Sequence, residues 1–235
     1  VIASRLEQAL RGITAPLRLV IFDCDGVLID SEAIANRIVA AELTKLGWEM
    51  DPASARRRFL GMTFTDMEPV IARTLGREID PQWRAGLVEA IIAAMAREVV
   101  LIDGALAALD GADALGLDWR IASNSSHQEL AVKFARVGLT CRVAGRVHSH
   151  ADVARGKPAP DLFEACAAAA GVTSAHCIVI EDSAPGTRAA QAAGMTCLGY
   201  APHGDGAELA ENGALVFHSM HDIPRLLALA TRVNA

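Results

Sequence analysis

Aromatic residues are scarce in this chain of 235 residues: they make up 4% of it, with a single Tyr, so Ala, Leu and Val must fill the interior. Lysine is scarcer still, with only Lys45, Lys133 and Lys157 among 22 basic residues. There is no basic excess. A net charge of −6 and a pI near 5.6 exclude nucleic acid or an anionic membrane surface as the main partner. No apolar run approaches the ~20 residues of a membrane span. Arg5, Glu7 and Arg11 interrupt the stretch where a secretory signal would need apolar residues. The five Cys form no C-x-x-C pair and are odd in number, which excludes a simple disulfide framework and reads as buried free thiols in a reducing compartment. Also missing are G-x-G-x-x-G and G-x-x-x-x-G-K-[ST], the phosphate loops of nucleotide-binding folds. No internal repeat or low-complexity linker occurs. The chain left by these exclusions is 52% hydrophobic, able to bury a sizeable core, and expected to be a cytoplasmic monomer.

The apolar run from Leu17 to Phe22 reads as a buried strand that ends in two carboxylates, Asp23 and Asp25. Acids at the tip of a core strand must be solvated, paired or bound to something. Four helical segments follow with no strand between them: Ala33 to Leu46, Pro52 to Leu60, Thr65 to Leu75, and one from Asp80-Pro81 to about Arg97. From Gly104 onward strands and helices alternate, with strands expected at 119–123, 141–147, 176–180, 196–199 and 215–217. The pattern predicts an α/β fold, a doubly wound Rossmann-like parallel sheet with an inserted four-helix domain. Residues 16–32 and 102–235 would form the discontinuous core, 33–101 the insertion, and 1–15 an N-terminal extension.

Ligands of such sheets bind outside the carboxyl ends of the strands. Read in turn, those ends carry Asp23-x-Asp25, Ser123-Asn124-Ser125-Ser126 and Glu181-Asp182-Ser183, and Lys157 stands on the proline-stiffened loop Gly156–Asp161. Four acids, a hydroxyl and a lysine would thus converge on one edge. Two like charges ~4 Å apart cost about 4 kcal/mol at an effective dielectric of 20. A divalent cation removes that cost, and an oxygen-only set suits Mg²⁺. The chemistry this favours is phosphoryl transfer from a small phosphorylated metabolite, with Asp23 and Asp182 on the metal and Lys157 and Ser123 on the phosphoryl oxygens. Asp25 would move protons. Ser126-x-x-Glu129 has the form of a capping box, which puts a helix N-terminus just past Ser123 and Asn124.

Asp23-Cys24-Asp25-Gly26-Val27-Leu28, Ser123-Asn124, Lys157-Pro158-x-Pro160-Asp161 and Glu181-Asp182-Ser183-x-x-Gly186 resemble the four ordered motifs of the haloacid dehalogenase superfamily. The helical insertion after the first motif is similar to the cap of its α-helical-cap subgroup, near the β-phosphoglucomutase-like sugar-phosphate phosphatases. The resemblance implies a Mg²⁺-dependent phosphatase that passes through an aspartyl-phosphate on Asp23. It implies Asp25 as general acid/base, and a metal set of Asp23, the Asp25 backbone carbonyl and Asp182 with Glu181 close by. Cys24 and Asn124 fall in the phosphate-binding segments. Asn36, Arg37 and Thr63, flanking the cap's first helix and turn, are the specificity candidates.

Within the resemblance, Asp25 argues against a dehalogenase, and the lack of a well-placed cap lysine beyond Lys45 argues against a phosphonatase. Ala35 and Phe64 stand where a β-phosphoglucomutase has a His and an Arg, which disfavours a hexose-phosphate mutase. A non-enzymatic metabolite-binding protein would be expected to lose a motif acid, and none is lost. Other features have plainer readings. Arg56-Arg57-Arg58 suits a solvated helix face, His148-Ser149-His150 a surface loop, and the Cys24 side chain a small buried residue. Asp103, where relatives have Pro before Gly104, would alter the stiffness of the cap's exit.

Overall fold

The computed structural model of the protein describes residues 2–59, 62 and 64–231, with side chains from Arg5 onward. In chain order its elements are α1 (Ile2–Arg11), β1 (Leu19–Phe22), β2 (Ile29–Asp30), α2 (Glu32–Lys45), α3 (Pro52–Phe59), α4 (Phe64–Leu75), α5 (Pro81–Glu98) and β3 (Val100–Leu101). They continue with α6 (Ala105–Ala114), β4 (Asp118–Ser123), α7 (His127–Arg136), α8 (Thr140–Val143), β5 (Val147–Ser149), α9 (Asp161–Ala170) and β6 (Cys177–Glu181). The last are α10 (Ala184–Ala192), β7 (Thr196–Tyr200), α11 (Ala207–Glu211), β8 (Leu215–Phe217) and α12 (Ile223–Thr231).

Six strands form one sheet in the order β5-β4-β1-β6-β7-β8, and every pair is parallel. All four side chains of β1 are buried, as a central strand covered on both faces requires. Register then fixes the edge. Phe22 lies opposite Ile121 on one side and Ile180 on the other, so Asp23, Ser123 and Glu181 leave the sheet within two residues of the same level. The chain builds β4 and β5 on one side of β1 before crossing to β6 on the other. This is the switch point at which doubly wound sheets bind ligands.

The chain divides into two compact units. The first holds Val1–Ile29, Leu101–Ser126 and Arg142–Ala235, and the second holds Asp30–Val100 and His127–Cys141. This differs from the expected division in two ways. α1, read as an extension, packs on α12 and β8 and buries Leu6 and Leu10. α7 groups with the helical unit because it lies along α5, where Arg136 Nε donates to the Arg97 carbonyl at 2.8 Å. Within that unit α2 packs on α3 and α5, around Leu43, Ile91 and Met95. The Asp-Pro signals behave as read: Asp80 accepts from the Gln82 N–H at 2.8 Å at the start of α5, and Asp51 from the Ser54 N–H at 2.8 Å at the start of α3.

Residues 141–147, expected as a strand, are mostly not one. The helical turn α8 comes first, Gly145 then adopts φ +74, and only Val147–Ser149 joins the sheet, so His148 and fully buried Ser149 belong to an edge strand and not to the surface loop expected there. Arg142 is held by Asp110 at 2.7 Å and Asp113 at 2.6 Å, and Arg146 lies 4.4 Å from the Trp119 ring centre. These long-range partners outweigh the local apolar alternation. Cys141, on this turn, is exposed, so the reading of all five thiols as buried holds for Cys24, Cys166, Cys177 and Cys197 only. The paired two-residue strands β2 and β3 are too short to leave a sequence pattern.

Candidate active site

The site lies in the first unit and begins with a tight loop after β1. Gly26 turns it with φ +82, its N–H donating to the Ile29 carbonyl at 2.9 Å. A side chain is excluded there, since a Cβ would stand 2.0 Å from Asp182 Oδ2. The loop sends Asp23 inward and leaves Asp25 half-buried. Cys24, included among the phosphate-binding residues, is fully buried, and its carbonyl accepts the Leu28 and Ile29 N–H groups at 2.9 and 2.8 Å. Its side chain belongs to the core and its carbonyl to the loop.

Lys157 is the hub. Its ammonium donates to Asp23 Oδ1 at 2.6 Å, to Glu181 Oε1 at 2.5 Å and to the Ala122 carbonyl at 2.7 Å, so all three of its donors are used while it is buried. Burial presses its pKa down, but the Asp23 and Glu181 carboxylates outweigh burial and hold the ammonium above its ordinary range. For Asp23 burial wins: against the pull of Lys157, and helped by repulsion from Glu181 and Asp25, its carboxyl is pushed up from 3.8 to about 7.

Glu181, with no exposed surface, is fixed from its other side. Oε2 accepts the Ser183 hydroxyl at 2.9 Å and the Asp182 and Ser183 N–H groups at 3.1 and 3.2 Å. The first turn of α10 presses on the carboxyl so closely that a Cβ at Gly186 would stand 1.9 Å from its carbon. One oxygen each from Asp23, Glu181 and Asp182 lies within 4.8 Å of the others, and among the described residues these three acids alone form such a group. Three carboxylates and no softer atom make a donor set suited to a hard cation.

Asn124, expected to bind phosphate, uses its side chain otherwise. Its Nδ2 donates to the Lys157 carbonyl at 3.0 Å and its Oδ1 accepts the Lys157 N–H at 2.9 Å, so the amide clamps the lysine loop. The loop comes so near that a Cβ on Gly156 would lie 2.6 Å from Asn124 Oδ1. Ser123 is buried at the tip of β4, and its oxygen accepts the Ser125 N–H at 3.0 Å. α7 begins at His127, so Ser126 stands at its N-cap position.

Asp25 turns toward the β4 tip. Its Oδ2 accepts the Ser125 hydroxyl at 2.8 Å and lies 3.4 Å from the Ser123 hydroxyl. Ser125 carried no role in the sequence reading. The available signal was a second hydroxyl two residues beyond Ser123, hidden because the whole 123–126 run is polar.

Among the described residues, the candidates of the second unit form no comparable group. Asn36 is half-buried on α2, and exposed Arg37 pairs with Glu98 at 2.5 Å. Thr63 lies outside the described residues. Arg56 pairs with Glu32 at 3.1 Å and Arg57 donates to Ser54 at 2.8 Å, as suits a solvated helix face. Asp103, in the first unit, is exposed and pairs with His221 at 3.1 Å.

A profile of haloacid dehalogenase-like hydrolases matches residues 17–194. Among characterised proteins, the chain is 25% identical over 214 residues to 6-phosphogluconate phosphatase of Escherichia coli (strain K12), covering 89% of this chain and 94% of that one. It is 30% identical over 218 residues to hexitol phosphatase A of the same organism, covering 86% and 91%. Among solved structures, it is similar to a haloacid dehalogenase-family hydrolase of Deinococcus radiodurans R1 with bound phosphate and sodium. The TM-score there is 0.75, with 34% identity over 92% of this chain and 97% of the other.

Proposed function

The chain belongs to the haloacid dehalogenase-like hydrolase family, and on that premise we propose that it is a Mg²⁺-dependent phosphatase of small phosphorylated metabolites, specifically sugar or sugar-acid phosphates. The observation that carries this reading is the buried hub, in which Lys157 joins Asp23 to Glu181 beside Asp182. A lysine so fixed is a cation aimed at the place where a phosphate would meet Asp23. The substrate class is supported by the relatives named for 6-phosphogluconate and hexitol phosphates.

In this reading an Asp23 oxygen attacks phosphorus in line. The new Asp23 O–P bond forms as the ester P–O bond breaks, and the electron pair leaves with the alcohol oxygen, which takes a proton from Asp25. Asp25 then accepts a proton from water, and the water oxygen displaces Asp23 from phosphorus. Lys157 and the Ser123 hydroxyl hold the phosphoryl oxygens throughout. Asp23, Asp182 and the Asp25 backbone carbonyl, with Glu181 alongside, would hold Mg²⁺. The ion would supply charge neutralisation at the phosphoryl group. Asn124 contributes by holding the Lys157 loop, and the cap helices would choose the alcohol.

The test is phosphate release from a panel of hexitol, hexose and aldonate phosphates. Turnover should vanish with EDTA, return with Mg²⁺ and be absent in Asp23→Asn. Metal-independent turnover that survives Asp23→Asn contradicts the reading, as does isomerisation of glucose 1-phosphate without phosphate release.

A further inference from the structure

Ser125 has each of its polar groups placed. Its N–H donates to Ser123 Oγ at 3.0 Å, its carbonyl accepts the Ser149 hydroxyl at 2.7 Å, and its own hydroxyl donates to Asp25 Oδ2 at 2.8 Å. Ser149 is itself rigid. It is fully buried at the end of β5, opposite Ser123 in the sheet register, its N–H donates to Asp152 at 2.8 Å, and its oxygen accepts the Ala151 N–H at 3.2 Å. The backbone of Ser125 is therefore pinned from both sides, so the sheet and not the solvent aims its hydroxyl.

We propose that Ser125 is the positioning residue of the proton-transfer step, its hydroxyl holding the Asp25 carboxyl in the orientation from which it serves the departing oxygen. The inference rests on the phosphatase reading above and adds to it a residue that touches no reacting atom. Asp25 is half-buried in a glycine-turned loop, and its side chain has two rotatable bonds. Positioned proton donors contribute about 10²–10⁴-fold, and a displacement of ~1 Å forfeits much of that. Of the two serines beside Asp25, Ser125 makes the shorter hydrogen bond, at 2.8 Å. Ser123 donates to the same oxygen at 3.4 Å, a longer and weaker bond that a phosphoryl group would displace more readily.

The consequence depends on the leaving group. In the first step the Asp23 O–P bond forms, the ester P–O bond breaks, and the departing oxygen takes both the electron pair and the Asp25 proton. A sugar alkoxide is a very strong base and needs that proton. A p-nitrophenolate is a weak base and leaves without it. Misplacing Asp25 must therefore slow alkyl phosphates and spare aryl phosphates, whereas loosening the β4–β5 edge would slow both alike.

The experiment measures kcat/KM for a hexitol phosphate and for p-nitrophenyl phosphate with the Mg²⁺-loaded wild type, Ser125→Ala and Ser125→Thr. This ratio reports the steps up to departure of the alcohol and excludes the attack of water on the phosphoenzyme. Ser125→Ala should lose ~10–100-fold more on the hexitol phosphate than on the aryl phosphate. Ser125→Thr, which keeps the hydroxyl, should recover most of that difference. Equal losses on the two substrates, no loss, a gain, or a Thr variant as impaired as the Ala variant would overturn the assignment of Ser125 and leave the phosphatase reading standing. A wild type inactive on both substrates overturns the phosphatase reading and this inference with it.

Discussion

The strand-tip site and helices α2–α5 of the helical unit treat their polar side chains in opposite ways. Around Asp23 the polar groups bind one another over long sequence distances: Lys157 reaches Asp23 and Glu181, Asn124 reaches the Lys157 backbone, and Ser125 reaches Asp25. In helices α2–α5 of the helical unit charged residues pair at the surface, as Arg37 with Glu98, Arg56 with Glu32, and Arg84 with Glu68 at 2.7 Å, whereas Glu129 and Lys133 of α7 are buried. Buried, hydrogen-bonded charge is strongly coupled and intolerant of change, while exposed ion pairs contribute about 0–1 kcal/mol. The first arrangement suits chemistry that must stay fixed. The second suits a surface free to be re-specified for a different alcohol.

The sharpest way to break this contrast is at its hub. Lys157→Met should leave Asp23 and Glu181 facing each other with no counter-charge, destabilising the protein by about 3–5 kcal/mol. It should also lower kcat/KM by at least ~10³-fold, since it removes a cation held at the reacting group. Urea unfolding and phosphate-release assays check both. A variant that keeps wild-type stability would show that the buried network is not under the tension described.

Next in size is Gly186→Ala. The new Cβ would fall onto the Glu181 carboxyl, so α10 or Glu181 must shift, at a cost of ~1–3 kcal/mol. Activity should drop with stability, because Glu181 aligns Lys157. A fall in stability alone, with kcat unchanged, would separate Glu181 from the chemistry.

A third prediction concerns pH. Burial raises the Asp23 carboxyl to about 7, above its unfolded value of 3.8, so the folded metal-free protein binds that proton more tightly than the unfolded chain does. The stability this contributes is fully present below about pH 4 and is lost as pH rises through about 7. In denaturant titrations under EDTA, the wild type should therefore lose stability relative to Asp23→Asn between those limits. Added Mg²⁺ should reverse the trend by favouring the ionised form. Parallel stability–pH curves would contradict the assignment.

The smallest effect belongs to the helical unit. Arg37→Ala should change stability by no more than ~0.5 kcal/mol, because its partner Glu98 is exposed. If α2 helps to select substrate, the ratio of kcat/KM values between an aldonate and a hexitol phosphate should move while p-nitrophenyl phosphate turnover does not. A large stability loss would place Arg37 with the fixed network instead.

Much of the first unit was legible in the sequence, because parallel strands place the residues that follow them on a common edge. Asp23, Asp25, Ser123, Glu181 and Asp182 could be read as convergent from three apolar runs and their endings, and Lys157 from its rarity and its loop. The pairings were not legible. Nothing near Asn124 shows that its amide is spent on a backbone 33 residues away, or that Ser125 reaches back 100 residues to Asp25. Such contacts depend on register, which composition and periodicity do not encode. Residues 141–147 misled for a related reason: Gly145 and the partners of Arg142 and Arg146 decide that turn, and only the glycine is local. In the helical unit, amphipathic spacing located the helices but singled out no exposed side chain, because solvated faces carry no periodic constraint on residue type.

The central claim is that Asp23 takes the phosphoryl group. Quenching the enzyme during turnover of a hexitol phosphate, reducing with borohydride and mapping the peptides should convert Asp23, and no other acid, to homoserine. Continued phosphate release with Asp23 unmodified, or reduction at a different residue, would contradict it.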